Sequence, residues 1–285
     1  MTDAAPTPKP KIRWLAEIRA WLVLILFVLG LHSLIAKPFY IPSESMMPNL
    51  PVGDRLLVSK YPYGWSYVSP SFHVLPFIRG RLLGRMPERG DIVIVVPGGD
   101  HHGDNLIKRV IGLPGDTIRL VGGRLWLNGK PVEMRDMGIR LMPVDGNLPC
   151  DEREFPGFAD MRATGADGRA YCRLHILRET LPNGRSYDTI DFGRSGEDDY
   201  GPYTVPAGHV FLLGDNRDDS ADSRVPAELG GLGGAVPVEN IGGRAEFVTF
   251  SLNGNASWNP LTWFSDFRGD RTGASLRPQS SPPAR

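Results

Sequence analysis

The amino-acid sequence predicts a mostly β fold, in which an antiparallel β-sheet domain carries a smaller inserted subdomain and follows one N-terminal transmembrane helix. Short runs rich in Val, Ile and Leu alternate with turn signals along most of the chain. The 285 residues include 34 glycines and 26 prolines, which favours short strands joined by many turns. One long apolar run stands near the N-terminus, and no other long stretch shows a clear helical period.

The composition argues against several classes of protein. The 32 basic and 32 acidic side chains give a formal net charge of zero, whereas nucleic-acid-binding proteins normally carry a basic excess, so no nucleic-acid partner is predicted. Two cysteines, Cys150 and Cys172, are too few for a disulfide-rich scaffold or a four-cysteine zinc site. Whether they form one disulfide stays open, because that depends on the redox state of the compartment. No metal or cofactor is predicted.

The first element is the apolar segment AWLVLILFVLGLHSLIA at residues 20–36, which carries no formal charge when His32 is neutral. Its 17 residues lie near the lower limit for a membrane-spanning helix, about 17–25, and Pro38 limits any continuation. The alternative is a cleaved secretory signal. Such a signal would have a shorter apolar stretch, about 7–15 residues, and the Lys37-Pro38 pair is a poor context for cleavage. The segment is therefore predicted to be an uncleaved anchor.

The basic residues on the two sides of this anchor differ in number. Lys9, Lys11, Arg13 and Arg19 precede it, and only Lys37 follows it closely. Because the more basic flank stays in the cytoplasm, residues 1–19 are predicted to be a cytoplasmic leader. The rest of the chain would then face the periplasm or the cell exterior from a single-pass position in the inner, cytoplasmic membrane, with the lipid bilayer as one partner.

Strand-like runs follow the anchor. They read DRLLVSK, GDIVIVV, NLIKRVIGL, DTIRLVGGRLWLNGKPV, HVFLLGD and GGRAEFVTF, and the Asn-Gly pair in RLWLNGKPV predicts a β-hairpin. Residues 37–132 and 201–256 are predicted to form the β domain. Residues 133–200 are more polar, hold both cysteines and are predicted to be the inserted subdomain. The tail, residues 257–285, is predicted to be partly disordered, and its aromatic segment SWNPLTWFSDF suits the lipid interface and the core equally.

Two serines stand directly after the anchor, in the segment YIPSESMMPNL. Pro42 and Pro48 bracket them and disfavour a helix, so an extended chain is predicted, in which Ser43 and Ser45 point to the same side. A serine becomes an effective nucleophile when a base accepts its proton. The sequence has no G-x-S-x-G, H-E-x-x-H or S-x-x-K motif, and His101-His102 suit a solvated loop better than a metal site.

A lysine in an apolar strand is the remaining candidate base. In NLIKRVIGLPGD, Lys108 would share one face of a strand with Leu106 and Val110. Burial disfavours the ammonium form and can lower the pKa of a lysine by up to about 3–5 units, so that the neutral amine accepts a proton near neutral pH. The alternative is a surface lysine on an edge strand, and this segment by itself does not exclude it.

A cluster of charged residues follows the strand-like HVFLL. The segment GDNRDDSADSR, residues 214–224, does not fit a calcium loop, because no starting position gives Gly at the sixth place and Glu at the twelfth. A solvated turn is one interpretation. The other is a rigid loop of ion pairs that lines a site and holds Ser220 beside Lys108.

Three segments, in this order behind an N-terminal anchor, resemble the bacterial type I signal peptidases, which are serine proteases with a Ser/Lys dyad. They are IPSESMMPNL, GDIVIVV with NLIKRVIGLPGD, and GDNRDDSADSR. The resemblance covers about Pro38 to Phe250 and is weakest in the middle insertion. It implies a β fold in which Ser45 is the nucleophile and Lys108 the general base. It further implies an oxyanion hole made of the Ser43 hydroxyl and the Ser45 N–H, and Ser220 as the residue that orients the lysine.

The same resemblance assigns structural ion pairs and substrate pockets. The ion pairs would join Asp222 with Arg224, and Asp215 with Arg109 or Arg217. The shallow apolar pockets would be formed by Phe39, Ile41, Leu106 and Ile107. Substrates with small residues at positions −1 and −3 of the cleavage site are expected.

The function implied is that of a membrane-anchored enzyme that cleaves N-terminal signal peptides from exported preproteins as these emerge from the export machinery. Two alternatives stay open at this point. One is a specialised Ser/Lys peptidase of a conjugation or pilus system. The other is a non-catalytic, membrane-tethered, β-rich binding protein.

Overall fold

A computed structural model of the chain describes residues 14–70, 79–98, 105–151, 158–255 and 264–280. The predicted mostly β fold with one N-terminal apolar helix is confirmed. The leader before residue 14, the His101-His102 loop and residues 257–263 of the aromatic tail segment lie outside these ranges. The helices are α1 (Trp14–Leu34) and the short α2 (Phe158–Met161).

The strands follow one another along the described chain with these bounds: β1 (Ala36–Tyr40), β2 (Asp54–Ser59), β3 (Ile92–Val95), β4 (Leu106–Gly112), β5 (Thr117–Val121), β6 (Arg124–Leu127), β7 (Lys130–Pro131), β8 (Glu133–Pro143), β9 (Arg162–Thr164), β10 (Ala170–Thr180), β11 (Arg185–Ile190), β12 (Tyr200–Thr204), β13 (His209–Leu213), β14 (Val236–Pro237), β15 (Ile241–Ser251) and β16 (Gln279–Ser280). They form three sheets.

Helix α1 has 21 residues, none of them buried, and is long and apolar enough to cross a membrane. It begins before the predicted span of residues 20–36, because the helix includes the charged residues Glu17 and Arg19 that precede the uncharged run. It ends at Leu34, two residues before the predicted end. Two hydrogen bonds join its end to the β domain. The Trp65 indole N–H donates to the Leu34 carbonyl at 2.8 Å, and the Lys60 N–H donates to the Ile35 carbonyl at 2.8 Å.

The largest sheet has seven strands in the order β1-β2-β15-β3-β4-β13-β14, and its neighbours are antiparallel. Successive side chains on its inner strands point to opposite faces. Ile92, Ile94 and Ile107 therefore contact one hydrophobic cluster, whereas Val93 and Val110 contact another. Strand β4 lies between β3 and β13, so it is an inner strand and not an edge strand.

A four-stranded sheet, β12-β5-β6-β7, packs beside the first. The predicted hairpin is present in it: Leu127 pairs with Lys130 across Asn128 and Gly129. Both turn residues have positive φ, 53° and 76°, as the Asn-Gly sequence of a type I′ turn requires.

The inserted segment forms most of the third sheet, β16-β11-β10-β8, with β9 paired to β10. Cys150 and Cys172 are joined by a disulfide with their Cα atoms 5.7 Å apart, and both side chains are fully buried in this part of the molecule. Strand β16 comes from the tail and pairs with β11. Leu276, also in the tail, packs into the cluster of Ile107. The described part of the tail is therefore integrated into the fold.

Candidate active site

The segment that carries the two serines is a tight turn, and the predicted extended chain is wrong here. Residues Glu44–Met46 form one turn of 3-10 helix, and only Ser43 before it is extended. Met46 and Met47, both fully buried, pack into two different hydrophobic clusters and hold the turn in place. The Ser45 carbonyl accepts a hydrogen bond from the Asn216 N–H at 3.1 Å, which joins this turn to the charged loop.

The Lys108 ammonium lies 3.0 Å from the Ser45 hydroxyl oxygen and donates a hydrogen bond to it. Lys108 is 2% exposed and Ser45 is 7% exposed, so this contact is shielded from bulk water. Burial lowers the pKa of Lys108 to about 8, against the opposing attraction of the Asp222 and Asp215 carboxylates. The surface-lysine alternative is therefore wrong, and the amine has the position and the pKa that a base for Ser45 needs.

A second hydroxyl lies beside the Ser45 hydroxyl. The Ser43 Oγ is 3.4 Å from the Ser45 Oγ, although the chain between them is turned rather than extended. Backbone N–H groups in the first turn of a helix have no acceptor within that helix, so the Ser45 N–H is free of the turn's own hydrogen bonds. Two donors thus stand next to the Ser45 oxygen.

The charged loop at residues 214–224 is closed by its own ion pair. Arg224 contacts the Asp222 carboxylate through Nε at 3.0 Å and through Nη2 at 2.9 Å, and the Gly214 N–H donates to Asp222 at 2.9 Å. Arg224 also donates to the Arg217 carbonyl at 2.6 Å. Asp222 and Arg224 are buried, so this is a rigid internal network and not a solvated turn.

The two pairing options for Asp215 are resolved by the geometry. Arg109, next to Lys108 on β4, donates to both Asp215 oxygens, at 2.7 Å and 2.6 Å. Arg217 instead contacts Glu179 at 2.6 Å, and both of these side chains are buried.

Glu179, Tyr187 and Asn49 complete this network, and the sequence interpretation missed all three. The Tyr187 hydroxyl donates to Glu179 at 2.6 Å, and its ring centre lies 4.2 Å from the Arg109 guanidinium. The Asn49 amide donates to Asp215 at 2.8 Å. Glu179 and Tyr187 lie on β10 and β11, so the inserted sheet supports the site directly. No pattern in the sequence marks them, because their partners are distant along the chain.

Ser220 is 8% exposed and lies close to Ser45. A Cβ atom added to Gly214 would stand 2.1 Å from the Ser220 Oγ and 2.6 Å from the Ser45 carbonyl oxygen, so this approach requires glycine at position 214. Among the described residues, the Ser220 hydroxyl has no hydrogen-bond partner. The expected hydrogen bond to Lys108 is thus not formed in this conformation.

Three of the four expected pocket residues lie together. Ile41 and Ile107 are buried in one hydrophobic cluster, and Phe39 packs against it. Leu106 packs against the cluster on the other face of the sheet, so it does not share this surface.

Comparison with known proteins identifies a family and related sequences. The family model described as signal peptidase, peptidase S26, matches residues 12–250. Signal peptidase I of Rickettsia typhi is 35% identical over 258 residues, which cover 88% of this chain and 83% of that protein. Signal peptidase I of Rickettsia akari is 36% identical over 239 residues, which cover 81% and 77%. A crystal structure of a signal peptidase I from Enterococcus faecalis matches 56% of this chain and 97% of its own, with 22% identity and a TM-score of 0.27.

Proposed function

The chain belongs to the signal peptidase family, peptidase S26, and from this premise we propose that it is a membrane-anchored endopeptidase that uses Ser45 and Lys108 as a catalytic dyad. The family and its relatives indicate a serine peptidase that removes signal peptides. The observation that carries the finer proposal is the 3.0 Å contact between the Lys108 Nζ and the Ser45 Oγ, made between two buried side chains.

The first step is proton transfer from Ser45 to Lys108. The amine must be neutral to accept this proton, and a pKa of about 8 leaves a useful neutral fraction at ordinary pH. As the proton moves to the Lys108 Nζ, the Ser45 Oγ attacks the scissile carbonyl carbon and the carbonyl oxygen becomes an oxyanion. The Ser43 hydroxyl and the Ser45 N–H are the proposed donors to this oxyanion, and each donor of this kind contributes about 2.7–4 kcal/mol in comparable sites.

The second half of the reaction returns the site to its starting state. The C–N bond breaks while Lys108 gives its proton to the departing amine, which leaves an ester on Ser45. The neutral lysine then takes a proton from a water molecule, and the hydroxide attacks the ester. The released carboxylic acid is the new C-terminus of the signal peptide, and the Ser45 oxygen recovers its proton from Lys108.

The proposed substrates are preproteins with small residues at −1 and −3 of the cleavage site. Phe39 is partly exposed and packs on the buried Ile41 and Ile107, so of these three it is the side chain that presents apolar surface next to the serine turn. An extended substrate segment would pair with the chain as an added strand. Leu106, which packs on the opposite cluster, is not part of this proposal.

The proposed location is the inner membrane, with the β domain outside the cytoplasm. Helix α1 supplies the span, and the excess of basic residues before it favours a cytoplasmic N-terminus. The disulfide between Cys150 and Cys172 supports the same orientation, because disulfides persist in oxidising compartments. The preproteins would therefore reach Ser45 as they emerge from the export machinery.

The test is cleavage of a purified preprotein between pH 6 and pH 10. The wild type should gain kcat/KM as the pH rises and level off above about 8, the pKa of Lys108. Lys60 is a matched control, because it is also buried and burial lowers its pKa to about 8. A pH profile alone therefore does not assign the base, and the variants Lys108→Met and Lys60→Met are needed.

We expect Ser45→Ala and Lys108→Met to lose activity at every pH while Lys60→Met keeps the wild-type profile. Retention of cleavage by Lys108→Met would exclude the dyad, and retention by both active-site variants would favour a non-catalytic binding protein. Complementation of a strain depleted of its housekeeping signal peptidase separates general export from a dedicated conjugation or pilus role.

A further inference from the structure

A cavity of about 400 Å³ lies between the inserted sheet, the end of the serine segment and the C-terminal chain, and the proposed reaction does not use it. Its lining contains five arginines: Arg109, Arg140, Arg178, Arg271 and Arg277. Asp188 is the acidic residue among the described residues that line it. The arginines come from separate elements, so the cavity collects positive charge from across the molecule.

Two of these arginines share one carboxylate. Arg140 donates from Nη2 to one Asp188 oxygen at 2.6 Å, and Arg178 donates from Nε to the other at 2.7 Å. Burial alone would raise the pKa of Asp188, but these hydrogen bonds from Arg178 and Arg140 bring it below its ordinary value. The Asp188 carboxylate therefore supplies one negative charge against the two positive charges of Arg140 and Arg178.

Each of the other three arginines contacts a different carboxylate, but Arg277 shares its partner, Glu246, with Arg244. Arg109 contacts Asp215, Arg271 contacts Asp54, and Arg277 contacts Glu246. The five guanidinium groups therefore face four carboxylates, one of which also pairs with Arg244, so the surplus of positive charge lies at Arg140, Arg178 and Arg277.

The cavity also has more hydrogen-bond donors than acceptors. A guanidinium has five N–H donors. Within the described chain, Arg178 donates only through Nε, Arg140 only through Nη2 and Arg277 only through Nε. The remaining N–H groups of these three side chains have no acceptor in the described protein, although all three line one concave space.

We propose that this cavity binds a phosphate group, held by Arg140, Arg178 and Arg277. A phosphate monoester carries a charge of about −1.5 to −2 at pH 7 and three strong acceptor oxygens, which matches a surplus of charge and of forked donors. The phosphate could belong to a soluble compound or to a lipid headgroup. Arg271 of the cavity contacts Asp54, the first residue of β2. The other end of β2 meets the end of helix α1 and lies about 20 Å away along the strand. This distance between the cavity and the predicted membrane span favours the soluble source.

The test is isothermal titration calorimetry on the full chain in non-ionic detergent micelles, at an ionic strength fixed with sodium chloride. The probes are inorganic phosphate and glycerophosphoglycerol, a soluble phosphodiester headgroup. Saturable binding of inorganic phosphate is expected, and binding of the phosphodiester alone would assign the same site to a lipid headgroup.

Variants locate the binding. Arg140→Gln with Arg178→Gln should weaken binding by at least about tenfold, because the double variant removes two positive charges and their charge-assisted hydrogen bonds to the phosphate. Arg277→Gln should also weaken it, and it is the safer variant for folding, because Glu246 keeps Arg244 at 3.0 Å. Arg169→Gln, an exposed arginine on the inserted segment outside the cavity, is the control and should bind like the wild type. The absence of saturable binding of both probes to the wild type, or unchanged binding in Arg277→Gln, would overturn the proposal.

Discussion

Two buried lysines in this protein share a lowered pKa, but only one of them has the position of the proposed base. Burial lowers the pKa of both Lys60 and Lys108 to about 8. For Lys60 the repulsion of Lys37 and Arg81 adds to the effect, whereas for Lys108 the carboxylates of Asp222 and Asp215 oppose it. Only Lys108 of the two makes a hydrogen bond to a serine hydroxyl within the described chain. The lowered pKa is thus necessary for a base but does not identify it.

The first prediction concerns the free energy of unfolding, which the burial of Lys108 lowers. Its pKa falls from 10.5 in the unfolded chain to about 8 in the folded protein, so the unfolded state binds more protons between these values and stability rises with pH across that window. Below pH 8 the full penalty, about 3 kcal/mol, applies. Lys108→Met should therefore be more stable than the wild type at pH 7 by about this amount, with the difference shrinking towards pH 10. Urea unfolding at both pH values measures it; a less stable variant at pH 7 would contradict the burial argument.

The second prediction concerns Ser220, whose buried hydroxyl has no partner among the described residues. If rotation about its Cα–Cβ bond lets it meet Lys108 during the reaction, Ser220→Ala should lower kcat by about 10–100-fold and shift the apparent pKa of the pH profile. Ser223 is the control, because it is buried in the same loop and accepts a hydrogen bond from the Leu212 N–H at 3.0 Å. Ser223→Ala should cost about 1–3 kcal/mol of stability and leave the pH profile unchanged. Equal pH profiles for both variants would remove Ser220 from the mechanism.

At the scale of elements, the strand predicted at NLIKRVIGL is confirmed, whereas the extended chain predicted at the serine segment is wrong. Alternation along NLIKRVIGL placed Lys108 between Leu106 and Val110, and these two apolar residues do pack against one cluster. The serine segment has no such period. Two prolines argue against an α-helix but permit a single 3-10 turn, and the turn depends on Met46 and Met47 packing into separate cores. That information lies in the tertiary structure and not in the local sequence.

The third prediction concerns the support that strand β10 gives to the charged loop. Glu179 and Arg217 form a buried pair at 2.6 Å, and removing one partner leaves an uncompensated buried charge. Glu179→Gln should therefore lower the free energy of unfolding by about 3–5 kcal/mol. The control is Glu133→Gln, which breaks an exposed pair with Arg135 at 3.7 Å and should cost under about 1 kcal/mol. Similar losses in urea unfolding for the two variants would show that the inserted sheet does not brace the loop.

At the scale of the whole molecule, the sequence predicted the architecture but not the contacts between its distant parts. The resemblance to signal peptidases predicts that the three motif segments lie in one β domain, and all three contain or adjoin strands of the seven-stranded sheet. It did not place Glu179 and Tyr187 of the insertion beside Arg217 and Arg109. It also did not pair the tail strand β16 with β11. These contacts join positions far apart in the chain, and they are chosen by burial and charge rather than by any local pattern.

The last prediction links the fold to the compartment. The Cys150–Cys172 bridge closes a loop with a sequence separation of 22, and a loop of this length contributes about 3 kcal/mol to stability in the chain-entropy model. A β domain outside the cytoplasm should hold this bridge oxidised in living cells. Cells are lysed in acid and treated with a maleimide polymer that adds mass to each free thiol. The wild type should show no mass shift on a gel without prior reduction. After reduction, one polymer should attach to each of its two thiols.

The variant Cys150→Ala provides the control for this labelling, because its remaining Cys172 has no bridge partner. It should react with one polymer without prior reduction once the protein is unfolded in denaturant, since the Cys172 side chain is fully buried in the native fold. A wild-type protein that adds two polymers directly from cells would hold its cysteines reduced. Because the cytoplasm keeps thiols reduced, that result would place the β domain, and Ser45 with it, on the cytoplasmic side and contradict the proposed orientation.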